Sequence, residues 1–348
     1  MSSHKRSRQT SEDETDVKVF TNHPTLYHED GNVILSCGNT LFCVHRSVVA
    51  KHSPVLKRML DDAPPLVLRG CQHLELQDSA EDFEVLLGVL YDGLRIDFPN
   101  ITAFNYPRVS SLLRASTKYQ IERARADLIA CIQREWSSNL HVHDAKMQAI
   151  WSRRLAEFPT IVQNEQVMVN PNGNPGADAQ PQDAPAHPAA VIRLLRDCGY
   201  HTADILFPLF YALSVETSQF GTPMLGTHVA PLQDADIERL IVGIERLRAK
   251  HSSMSQFYPQ LRLPPGHDQQ CWPGIQIFWA IIGPNILLSP KAARWPIEAW
   301  RLFTAHFNTP VYQKQYSFCS ACATVLIGIL EHRRTAMWND LPAYFELR

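Results

Sequence analysis

The chain has 348 residues, with 33 Lys and Arg against 35 Asp and Glu, and 45% of its residues are hydrophobic. That length allows two domains with a core each, and the balanced charge supplies no basic field for nucleic acid and no acidic one for basic partners. No apolar run reaches the ~18 residues of a membrane span. The opening Met1-Ser-Ser-His-Lys-Arg-Ser-Arg lacks the apolar stretch of a secretory signal, so an intracellular protein, cytoplasmic or nuclear, is expected. Cys37, Cys43, Cys71, Cys131 and Cys198 stand singly among apolar residues. They read as reduced thiols in that compartment, not as a disulfide framework.

Residues 1–16 are polar and charged, without apolar periodicity, and are expected to form a disordered tail. Within it, Lys5-Arg6-Ser7-Arg8 reads as a solvated basic cluster or a nuclear address. A folded part follows over 17–136. Val33-Ile34-Leu35 and Leu41-Phe42-Cys43-Val44 flank Gly38-Asn39, which predicts a hairpin. Ser53-Pro54 supplies a cap and a first helical residue, with Val55, Leu56, Met59 and Leu60 at helical spacing. Leu74-Glu75-Leu76 predicts a third strand. Ser79-Ala-Glu-Asp82 is a capping box in its Asp form, ahead of Phe83, Leu86, Leu87 and Leu90, and Gly93 can end that helix. Two more helices are predicted, one with Val109, Leu112 and Leu113, the other with Ile121, Ala124, Leu128 and Ile132. The break between them falls near Lys118-Tyr119-Gln120. This pattern is a small mixed sheet flanked by helices, an α+β domain.

Residues 137–163 read as a helical extension. Residues 164–187, rich in Pro, Asn, Gln, Gly and Ala, read as a flexible linker. A mainly α-helical C-terminal domain is predicted over 188–348, with Trp272, Trp279, Trp295, Trp300 and Trp338 as core anchors.

Few residues suggest chemistry. His45 stands alone between a strand and a helix and reads as a hydrogen-bonded structural residue. His141-Val-His143-Asp144 has metal-ligand residue types but is common at exposed helix starts. Glycine supplies only 15 residues, and GxGxxG, GxxxxGK[ST], GxSxG and HExxH are all absent. Cys319-Ser-Ala-Cys322 leaves three readings open, the least favoured being a redox pair, which lacks a thioredoxin-like context. In another it is half of a zinc site, with Cys271 as the nearest other thiol and His267, His306 or His332 completing the set. Alternatively, its two thiols lie on the apolar face of a helix with Val325, Leu326, Ile329 and Leu330. The core reading is preferred. No catalytic, cofactor-binding or metal-ligating residue is assigned, no cofactor is expected, and the protein reads as non-enzymatic.

Glu29-Asp-Gly-Asn-Val-Ile-Leu35, Thr40-Leu-Phe-Cys-Val-His-Arg46, Ser53-Pro-Val-Leu56 and Leu112-Leu-Arg-Ala-Ser-Thr-Lys-Tyr-Gln-Ile121 resemble a BTB/POZ domain, in particular those of fungal BTB proteins. Leu206–Leu213, Phe318–Cys322 and Met337–Pro342 are similar to the helical remainder of such proteins. The resemblance implies a protein-interaction adaptor that pairs with itself or recruits partners to a cullin-type ubiquitin ligase or a transcriptional complex; the alternatives are a nuclear scaffold acting through the basic tail and a zinc-binding C-terminal module. No membrane and no direct nucleic-acid partner are expected. Contact with a cullin scaffold would come from the helices around Leu86–Tyr91 and Leu112–Tyr119. Many such domains open with a dimerising helix, whereas Val17–His28 here contains Pro24 and shows no helical stripe.

Overall fold

Val33–Cys37 is buried at every position, as expected of a strand paired on both sides with both faces covered. In the computed structural model it is β2 of a five-stranded mixed sheet ordered β1-β3-β2-β5-β4. The other strands are β1 Thr21–Tyr27, β3 Thr40–Val44, β4 Val67–Leu68 and β5 Cys71–Leu76. The structure describes residues 19–64, 66–93, 96, 98–157, 160–163, 166–169, 185–216, 229–256, 263–267 and 269–348. The expected tail 1–16 lies outside them. The described residues group into two compact units, one from residues 1–97 with 111–126, the other from 98–110 with 127–348.

In the first unit, β2 and β3 form the predicted antiparallel hairpin, pairing Val33 with Val44 and Cys37 with Thr40. Gly38 turns it at φ +57°, a conformation open to glycine. On its other side β2 runs parallel to β5, Leu35 opposite Leu74. The buried Ser36 is satisfied by His73, Oγ to Nε2 2.8 Å. β4 and β5 form a second hairpin through Arg69-Gly70, both with positive φ, the combination of a two-residue type I′ turn. The stretch where a leading helix was in question is a strand, since β1 pairs parallel with β3 from Thr21 opposite Thr40. Its register is interrupted around Pro24, and His23 Nδ1 accepts from the Leu26 N–H at 3.1 Å.

Two short helices, α1 Arg46–His52 and α2 Pro54–Asp62, meet at Ser53. The fully buried Ser53 Oγ accepts from Leu56 N–H at 2.9 Å and donates to the Tyr119 carbonyl at 2.6 Å. α3 Ala80–Tyr91 starts at the predicted cap, with Ser79 Oγ accepting from Asp82 N–H. α4 Tyr106–Lys118 and α5 Glu122–Glu135 break where predicted, at Gln120 with φ +52°. Tyr119 Oη donates to the Asp78 carboxylate, which also receives Lys118 Nζ at 2.8 Å.

The chain continues with α6 Leu140–Glu157, β6 Thr160–Gln163 and β7 Gln166–Val169. β6 and β7 form an antiparallel hairpin with Ile161 opposite Met168 and Val162 opposite Val167. β6 falls at the end of the expected helical extension 137–163 and β7 in the first residues of the expected linker 164–187, where the β-branched Val167 and Val169 favour a strand. Residues 170–184 of that linker lie outside the described residues. Ala186 is buried, and its N–H donates to the Ile101 carbonyl at 2.9 Å.

The remainder is helical: α7 Pro188–Asp197, α8 Ala203–Glu216, α9 Asp234–Gln256, α10 Trp272–Leu287, α11 Pro290–Arg294, α12 Pro296–Phe307, α13 Pro310–Gln315 and α14 Ser320–Tyr344. α7 packs on α8, and α14 packs against α8, α9, α12 and α13. One stripe of α14 is buried: Cys322, Leu326, Leu330, Arg334, Met337 and Leu341, the three-to-four spacing of a core-facing helix. Gly243 of α9 faces the Phe345 ring, where an added Cβ would lie 1.9 Å from a ring carbon. Trp279, Trp300 and Trp338 are buried as anticipated, Trp272 and Trp295 only partly. Among the described residues no helix is long and apolar enough to cross a membrane.

Two outcomes follow from this packing. Ser53→Ala removes the α2 cap and the donor to the Tyr119 carbonyl together. It is expected to lower stability by about 1–2 kcal/mol, read from urea unfolding. His251 is buried, its Nε2 donating to the Leu287 carbonyl at 2.7 Å, and burial pushes its pKa below the usual 6.5. The unfolded chain therefore binds a proton that the folded one refuses. Stability should fall as pH drops below about 6.5. Urea unfolding at pH 7 and pH 5 should show a smaller loss in His251→Gln than in the parent.

Candidate functional site

His45 follows β3 and is held on both ring nitrogens. Nε2 lies 3.1 Å from Asp30 Oδ2, and Nδ1 lies 2.9 Å from Tyr91 Oη. A neutral ring donating to Asp30 can accept from Tyr91. The hydrogen bond from His45 holds the Asp30 carboxyl below its usual pKa. Tyr91 Oη also accepts from the His45 backbone N–H at 2.9 Å. The ring joins a strand end to α3, in keeping with a structural role.

The residues of His141-Val-His143-Asp144 separate. His141 is exposed at the start of α6. His143 Nε2 lies 2.9 Å from Glu298 Oε1 on α12, and the same carboxylate accepts from Tyr211 Oη of α8. Burial and the neighbouring Glu298 charge raise the Tyr211 pKa well above its usual value, so this phenol stays a donor. Asp144 pairs with Arg334 of α14, whose Nε donates to the Ile297 carbonyl at 2.9 Å. Trp338 Nε1 donates to the Ser138 carbonyl at 2.7 Å. These buried polar groups satisfy one another and pin α6, α8, α12 and α14 together.

Cys319 and Cys322 do not sit together on an apolar helix face. Cys319 is half-buried and caps α14, and Cys322 lies in its first turn, fully buried. Val325 and Ile329 are only partly buried, so the buried stripe runs through Cys322, Leu326 and Leu330. The other side of the cluster comes from the turn before α10. There the Cys271 N–H donates to the His267 carbonyl at 2.8 Å, and Cys271 occupies the N-cap position of α10 without a side-chain cap hydrogen bond. His267 Nδ1 lies 3.7 Å from Cys271 Sγ, 3.3 Å from Cys319 Sγ and 3.5 Å from Cys322 Sγ. All four side-chain atoms lie within 4.8 Å of one another. The Cys322 N–H, 3.5 Å from Cys319 Sγ, draws that thiol down to about 6, while burial pushes Cys322 up to about 12. Of the three histidines weighed from the sequence, His267 joins the thiols, whereas His306 Nδ1 hydrogen-bonds the Leu302 carbonyl within its own helix. The sequence names Cys271 as the nearest other thiol and three histidines as candidates, but the Cys-x-x-Cys spacing does not choose His267 among them.

In the helices expected to offer a docking surface, around Leu86–Tyr91 and Leu112–Tyr119, the large apolar residues are mostly in the core. Leu86, Leu87 and Leu90 of α3 and Leu112, Leu113 and Tyr119 are buried. They hold the helices to the sheet, which leaves few large apolar groups outside. Among the described residues of this unit those are Val19, Leu66 and Val67, the last two at the β4 edge.

No curated protein matches the chain. The family model of the BTB/POZ domain matches residues 25–134, a span from the edge strand β1 to the end of α5. The mixed sheet, its helices and this match agree: the chain carries a BTB/POZ domain, a protein-interaction module, followed by a mainly helical remainder.

Proposed function

We propose that this protein is a non-enzymatic adaptor that joins a cullin-type ubiquitin-ligase scaffold, docked at its BTB/POZ domain, to a second protein carried by its helical remainder. The single observation behind this reading is the BTB/POZ match over residues 25–134. In functional terms we take 17–136 as the docking part and 188–348 as the second arm, of the fungal type in its sequence pattern. The polar groups that most resemble catalytic residues, His45 and His143, are engaged in hydrogen bonds within the fold, which favours binding over catalysis. Leu66 and Val67, 59% and 67% exposed on an edge hairpin, offer apolar surface of the kind a partner covers. Self-pairing uses the same domain, and a specific interface of about 1,600 Å² would be needed to sustain it.

Affinity capture of the full-length protein from cells, with a known BTB adaptor as positive control, tests the reading. A cullin recovered alongside both baits is the expected result. Recovery of transcription factors without a cullin would replace the ligase role with assembly of a transcriptional complex, and a bait that captures neither removes both. Sedimentation of the full chain at micromolar concentration decides self-pairing: a species of twice 39.5 kDa supports it, and a strict monomer removes it.

A further inference from the structure

We propose that His267, Cys271, Cys319 and Cys322 form a structural zinc site that ties the start of α10 to the start of α14. Three thiolates and one imidazole are a donor set of structural zinc, which binds such ligands in a closed tetrahedron. With Zn–S near 2.3 Å and Zn–N near 2.0 Å, the edges of that tetrahedron are roughly 3.8 Å between sulfurs and 3.5 Å from nitrogen to sulfur. The nitrogen-to-sulfur distances of 3.7, 3.3 and 3.5 Å bracket that value, and no two ligand atoms are more than 4.8 Å apart.

Packing of neutral groups accounts poorly for this arrangement. Three thiols converge on one ring nitrogen, and a neutral imidazole nitrogen can accept from only one of them well. A cation at the centre replaces that competition with four bonds. The backbone is shaped to allow it. Gly274 lies in the first turn of α10, three residues after Cys271, and an added Cβ there would stand 1.8 Å from the Tyr316 carbonyl oxygen. Only a residue without a side chain lets this turn come so close to the segment leading into Cys319. Both helices also begin at the cluster: Cys271 stands at the N-cap position of α10, and Cys319 at that of α14, where its sulfur accepts from the Cys322 N–H. Helix N-termini favour thiolates over thiols. With four protein ligands the site leaves no position for substrate, so the metal would hold structure and do no chemistry.

The site stands apart from the adaptor reading, and its test does not depend on any partner. Full-length protein purified without chelator is assayed for metal by elemental analysis, and one zinc per chain is expected. Stripped protein titrated with Co²⁺ should develop the thiolate charge-transfer and tetrahedral d–d absorption of cobalt bound to sulfur. Alkylation mapped by mass spectrometry should find Cys271, Cys319 and Cys322 protected with zinc and reactive after stripping. Cys271→Ala and His267→Asn should lose the bound zinc. Should those variants fail to fold, the cobalt titration and alkylation map of the parent protein decide the matter alone. Parent protein that carries no zinc and gives no cobalt spectrum overturns the proposal. A disulfide between Cys319 and Cys322 in the folded, freshly purified protein overturns it equally.

Discussion

A strand with hydrogen-bonded neighbours on both sides and no exposed residue must have its register fixed before anything else can pack. β2 is that strand, antiparallel to β3 and parallel to β5. A slip of one residue would turn each of its side chains to the opposite face, so the Gly38 turn and the pairing of Leu35 with Leu74 fix the faces that the helices cover. Ser53 carries the same constraint outward. It joins two helices and holds the Tyr119 carbonyl, so the break between α4 and α5 is registered against α2 through one hydroxyl. A protein-interaction module built this way presents a rigid surface, because its apolar groups are locked beneath it.

The helical remainder is organised differently. Its order comes from a long helix, α14, whose buried stripe mixes apolar residues with a guanidinium and an indole N–H. The apolar positions supply most of the driving force. The polar positions choose among ways of packing helices that would bury similar area, since Arg334, Glu298 and Trp338 are satisfied only when α6, α8 and α12 lie where they do. The Cys and His cluster acts at the opposite end of α14 from Phe345, so the helix is held near both termini.

Much of the first unit was legible in the sequence because its signals are local. Gly38-Asn39, Ser53-Pro54 and the Ser79 cap each act within four residues, and each appears at its expected place, although the Asp82 carboxylate of the expected box accepts from Ser111. The elements that escaped depend on distant partners. The stretch that holds β1 contains Pro24 and offers only Val17 and Val19 in strand-like alternation, and pairing with β3 completes the strand. Of the helical pair expected after the first hairpin, only α2 has a sequence-marked start, because a single residue separates it from α1. The β6–β7 hairpin straddles the expected helical extension and the expected linker, and its four-residue strands are too short to stand out from either. At the candidate site, the Cys-x-x-Cys pair was visible, but the choice between core and ligand depended on where His267 and Cys271 fall in space. That information lies in the packing of α10 against α14, not in the spacing of any motif.

The buried ion pairs give the helical unit a distinct response to heat. Arg334 with Asp144 and Arg196 with Asp236 are almost withdrawn from water, their Arg side chains 2% and 11% exposed. The hydration that such charges forgo becomes less favourable as temperature rises, so the penalty for burying them shrinks while apolar burial levels off. The matching pair of the sheet unit, Arg46 with Asp61, is about half exposed and gains little by this route. Warming therefore shifts the balance of cohesion within the helical unit from apolar contact toward charge pairing, and its specific helix arrangement is favoured at temperatures where a purely apolar bundle would begin to loosen.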